Sequence, residues 1–88
     1  MVTSMTNIEK IAFLENVVVV LHKNIYAACF ALEIEASALD IETYNSEQFI
    51  SLFPESMYQA QHAARNTIDR SMNKLIAVNK KLDELNNA

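Results

Sequence analysis

An all-α fold follows from three features of this 88-residue chain. It contains no glycine and a single proline, Pro54. Apolar residues recur at three- and four-residue spacing through two long stretches. Turn-forming residues gather in one short segment between those stretches. The architecture they predict is a long antiparallel helical hairpin with a short helical connector, pairing into a four-helix bundle dimer. The expected division is a disordered N-terminus over 1–6 and one hairpin domain over 7–86, with helix 1 at about 7–41, a connector at 42–53 and helix 2 at about 54–85.

Average usage would give a chain of this length about six glycines. Glycine supplies positive φ in tight turns and lets the backbone approach a phosphate closely. Its absence excludes a P-loop, a GxGxxG dinucleotide loop, an EF-hand loop glycine, a GxSxG elbow and an Asn-Gly hairpin. The composition is otherwise that of a folded domain, 51% hydrophobic and 20% charged. So short a chain buries a modest fraction of its surface alone, which makes oligomerisation an expectation.

Helix 1 opens at Thr6-Asn7-Ile8-Glu9, a capping-box sequence in which Thr6 caps and Glu9 reaches back. From there Ile11, Leu14, Val18, Leu21, Ile25, Ala28, Leu32 and Leu39 form a heptad seam, with Glu35 as a polar intruder. The run Val17–Val20 suits a strand on local propensity. The helical period runs through it, and no turn residue bounds it. A second apolar stripe, rotated off the first, comprises Phe13, Val17, Val20, Ala27, Ala31, Ile34, Ala38 and Ile41. A helix that is apolar on two faces has to be covered on two faces.

In the connector, Thr43, Asn45 and Ser46 supply turn and capping chemistry. Asn45 or Ser46 starts a short helical turn that carries Phe49, Ile50, Leu52 and Phe53. Pro54 suits the first turn of helix 2, with Ser56 as a competing start. Helix 2 has one seam: Met57, Ala64, Ile68, Leu75, Val78, Leu82 and Leu85, with Gln61 and Ser71 as polar members and Met72 and Ile76 widening it. Its opposite face is polar throughout. One-faced helix 2 therefore covers one face of helix 1, and a second copy of the chain covers the other. The expected oligomer interface is Phe13, Val17, Val20, Ala27, Ala31, Ile34 and Ala38.

Charge supports the hairpin. Residues 33–55 hold six acids and no base, and residues 65–81 hold five bases and one acid. Antiparallel pairing sets Glu33 and Glu35 opposite His62 and Arg65, and Glu15 opposite Lys81. Glu35 and Gln61 are candidates for a buried polar pair that fixes register. The net charge of −4 argues against nucleic acid as the main partner. The basic face of helix 2, Arg65, Arg70 and Lys74, is the nucleic-acid alternative.

No catalytic, cofactor or metal site is expected. His22, Tyr26, Cys29 and Glu33 share a stripe, but His22 and Cys29 stand about 10.5 Å apart along the axis, beyond direct hydrogen bonding. Glu33, Glu35 and His62 are explained by an ion pair as well as by a metal. The lone cysteine, Cys29, allows no intramolecular disulfide and points to a reducing compartment; a symmetric Cys29–Cys29 bridge is the remaining option. The polar start MVTSMTN does not read as a signal peptide. Lys23 interrupts the longest apolar run, and a lysine at mid-bilayer costs about 2.5–3.5 kcal/mol. The expected protein is cytoplasmic and membrane-free. It is a non-enzymatic adaptor, regulator or inhibitor that meets a larger protein through its own dimer and through a docking cluster of Phe49, Ile50, Phe53 and Tyr58.

Overall fold

The structure, a computed structural model, describes residues 5–53 and 59–87. Among these residues 81% are helical and none is in a strand. Three α-helices, α1 (Asn7–Leu32), α2 (Ser46–Ser51) and α3 (Gln59–Asn86), are joined by a connector that includes a 3₁₀ turn at Ala36–Ala38. Helices α1 and α3 pack against each other as a helical hairpin. The molecule is elongated, 48 × 28 × 20 Å.

The start of α1 is the expected capping box. Thr6 is extended, its Oγ1 accepts from the Glu9 N–H at 3.2 Å, and Glu9 Oε1 accepts from the Thr6 N–H at 3.3 Å. Of the six residues expected to be disordered, 1–4 lie outside the described residues, and Thr6 is the ordered cap.

Helix α1 ends nine residues before the expected Ile41. Glu33 adopts a left-handed backbone, φ 58° and ψ 38°. The Ile34 N–H then donates to Cys29 O and the Glu33 N–H to Phe30 O, at 3.1 and 3.2 Å. These are the two bonds of a Schellman ending, in which a left-handed residue closes the helix. Glycine normally takes that position; here a glutamate does, so composition concealed the break. The apolar spacing beyond it still signals burial. Ile34, Ala36, Leu39 and Ile41 pack against the core from an irregular segment that folds back over the end of α1.

Asn45 starts α2 as expected, its Oδ1 accepting from the Gln48 N–H at 3.0 Å. Phe49 points inward at 6% exposure, with the Tyr44 and Phe53 rings 5.8 and 5.2 Å from its own. The start expected for the second helix, at Pro54 or Ser56, lies outside the described residues.

The core consists of Leu21, Ile25, Ala28 and Cys29 from α1, Phe49 from α2, and Ala64, Ile68, Met72 and Leu75 from α3. These are members of the predicted seams, together with Cys29 and Phe49, which neither seam included. Ser71, the polar member of the second seam, is buried as well. Glu35, by contrast, is exposed just before the 3₁₀ turn, so it forms no buried polar pair with Gln61. Its register position existed only while helix 1 continued. The expected ion pairing across the hairpin also fails at two points. The Arg65 guanidinium donates to the Phe53 carbonyl at 3.1 Å, and Lys81 pairs with Glu84 of its own helix.

Candidate interaction surface

Successive residues of an α-helix are rotated by about 100°, so a side chain's position around α1 follows from its number. Leu21, Ile25, Ala28 and Cys29 point toward α3 and are buried. The opposite side is apolar too. Ile8 is 80% exposed, Phe13 59%, Val19 51%, Val20 55%, Tyr26 59% and Phe30 87%. The line directly opposite the core carries Glu9, Asn16 and Lys23, two turns apart, and then Phe30. Phe13, Val20 and Ala27 flank this line on one side; Ala12, Val19 and Tyr26 flank it on the other. A solvated outer helix ordinarily has a polar face about half its circumference wide. Here the outer side has only this single polar file between two apolar flanks; other exposed polar residues, Lys10, Glu15, His22 and Asn24, lie nearer the edges of the α3-facing side.

The expected oligomer stripe is only partly present on this surface. Phe13, Val20, Ala27 and Ala31 are exposed on α1, but Val17 packs against the core. Ile34 and Ala38 left the stripe when α1 ended at Leu32: Ile34 packs inward, and Ala38 sits in the 3₁₀ turn. The second flank, with Ile8, Val19, Tyr26 and Phe30, was missed. Its signal was available, because residues 8, 12, 19, 26 and 30 keep to one side at 100° per residue.

The expected docking cluster is largely interior. Phe49 is buried and Phe53 packs against the core, which leaves Ile50 and Leu52 exposed. Tyr58 lies outside the described residues. Arg65, Arg70 and Lys74 do not form one basic stripe. Arg70 and Lys74 are exposed neighbours one turn apart, whereas Arg65 is half-buried on another side and holds the Phe53 carbonyl.

An open groove of about 930 Å³ runs between the last turns of α1, the connector and α3. Ile25, Cys29, Met72 and Leu75 line its apolar part, and Glu35 and Asp40 line its acidic side. Cys29 is 2% exposed, and burial raises its thiol pKa. The protonated thiol is the weak-nucleophile form, and its burial leaves no route to a symmetric Cys29–Cys29 bridge in this fold. His22 is exposed, its ring stacked 6.2 Å from Tyr26. Among the described residues no three His, Cys, Asp or Glu side chains converge as a metal site would require, so Glu33, Glu35 and His62 form no such cluster.

By length and composition α1 could cross a membrane: it is 26 residues long, and its most apolar 18-residue stretch has a mean hydropathy of 1.3, with 17% of that stretch buried. The core helix of a soluble protein and a signal sequence meet the same test.

No family model matches this sequence, and comparisons with curated proteins and with solved structures find no match either.

Proposed function

We propose that this chain is a small non-enzymatic protein-interaction module, an adaptor, regulator or inhibitor that works as a homodimer. One observation carries the reading: α1 exposes large apolar residues on both flanks of the side that faces away from α3, and α3 covers only the other side of it. Phe13, Val20 and Phe30 are more than half exposed. Burying such a side chain is favourable by about 1.5–3 kcal/mol. An apolar surface of this kind on so small a chain is the mark of an association site. Two chains that join their α1 faces form a four-helix assembly with both α1 helices inside and both α3 helices outside. The polar outer face of α3 suits that arrangement. Light scattering on the purified chain tests the dimer, and co-purification from the native host with mass spectrometry tests for a larger partner. A monomer at micromolar concentration would redirect α1 to another protein.

The hydropathy of α1 favours a second reading, a helix that inserts into a membrane. Glu15, His22, Lys23 and Asn24 lie within its length and oppose insertion. Flotation with neutral phosphatidylcholine vesicles separates the two: the module stays in the soluble fraction, and a membrane helix floats.

A further inference from the structure

We propose that the second copy docks on α1 antiparallel, with the two-fold axis passing beside Asn16. This rests on the self-pairing of α1 and adds its direction and register. The outer line of α1 reads Glu9, Asn16, Lys23, with one acid and one base equally spaced about an asparagine. In an antiparallel pair centred on residue 16, residue n of one helix lies level with residue 32−n of the other. Glu9 then lies level with Lys23 of the second copy, and by symmetry Lys23 with Glu9. Asn16 lies level with its own mate, where two amides can donate to and accept from each other.

The apolar flanks agree with this register. The two-fold axis sets each flank against the same flank of the second copy: Phe13 lies within one residue's rise of Val20 of the second copy, and Ala12 within one residue's rise of Val19, so large residues face smaller ones. A parallel in-register pair would instead set Glu9 on Glu9 and Lys23 on Lys23, two like-charge contacts. Shifting the antiparallel pair by one heptad sets Asn16 against Glu9 or Lys23 and leaves a charge without its opposite. Polar and charged residues in an otherwise apolar helix seam act this way, fixing partner orientation more than they add affinity. Glu9 is available for the role, because both of its capping bonds use Oε1.

The test uses the full chain in a Cys29→Ala background, with cysteine placed at 16 or at 27 and mild oxidation of the purified protein. Asn16→Cys is expected to give a covalent dimer, because its mate lies level with it across the axis, within the few ångströms a disulfide spans. Ala27→Cys is expected to give none, because the two positions lie 22 residues apart in level. In parallel, Lys23→Glu is expected to raise the dimer dissociation constant about tenfold, and Glu9→Lys combined with Lys23→Glu to restore it. Circular dichroism checks that each variant stays helical. A dimer that cross-links at 27 as readily as at 16, or a charge reversal that the double variant does not rescue, overturns this register and leaves self-pairing standing. A monomer by light scattering overturns self-pairing itself, and the register with it.

Discussion

The Tyr44 hydroxyl donates a 2.6 Å hydrogen bond to Asp69 Oδ1, tying the connector to the middle of α3 across 25 residues of sequence. Asn73, one turn further along α3, donates to Asp69 Oδ1 at 3.4 Å and to Ser46 Oγ at 3.0 Å. These polar ties hold the connector in place with Phe49 beneath it.

Tyr44→Phe is expected to lower stability by about 1 kcal/mol, or roughly 4–8 °C in melting temperature for a chain of this size. Burial raises the Tyr44 pKa above its usual 10.0, and the Asp69 carboxylate raises it further. Because the folded value lies above the unfolded one, the stabilisation is complete below about pH 10 and is lost as pH rises beyond it. Thermal melts from neutral to alkaline pH should show that loss in the wild type and a smaller one in Tyr44→Phe. Equal alkaline slopes would remove Tyr44 from the account.

Glu33 holds a left-handed conformation that costs a non-glycine residue about 1 kcal/mol or more. Glu33→Gly relieves it and should raise the urea midpoint by the equivalent of about 0.5–1 kcal/mol. Glu33→Val should lower the midpoint. If glycine lowered it too, α1 would not end where the structure places its end.

Ile68 is fully buried, whereas Phe30 is 87% exposed. Ile68→Ala is expected to cost about 2–5 kcal/mol. Phe30→Ser should change the stability of the dissociated chain by no more than about 0.5 kcal/mol. Denaturation at concentrations low enough to keep the chain monomeric makes the comparison. A large cost at Phe30 would mean that it serves the hairpin's own fold.

The Cys29 thiol should react with a thiol reagent only as the chain opens. Its labelling rate is expected to follow the unfolding curve in urea, with little reaction in buffer alone. Fast labelling of the native chain would contradict the burial of α1's inner face.

Both seams were legible in the sequence, because burial on one side of a helix imposes a 3.6-residue period that survives any choice of apolar residue. The caps at Thr6 and Asn45 were legible for a similar reason, since few side chains accept a backbone N–H at that spacing. The end of α1 was hidden. Its Schellman turn is built on Glu33, and Ile34, Leu39 and Ile41 keep a helix-like spacing while packing from an irregular segment. That one error moved Ile34, Glu35 and Ala38 off the helix and shortened the expected interface. Phe49 was assigned to a docking surface because it belongs to a dense apolar cluster; density of apolar residues in a short segment says little about which way each ring turns. The flank of Ile8, Val19, Tyr26 and Phe30 went unnoticed because the first two stripes had already accounted for most of the apolar residues.

The measurement that bears most directly on the role of α1 is the solution mass of the chain beside that of a Phe13→Asp, Val20→Asp variant. Both positions are exposed in the hairpin, so the variant should remain folded, as circular dichroism can verify. Light scattering at micromolar concentration is expected to give the wild type twice its 10.0 kDa chain mass, and the helical variant the mass of one chain. A wild type that stays at one chain mass, indistinguishable from the variant, would contradict the claim that the open face of α1 is built to receive a second copy.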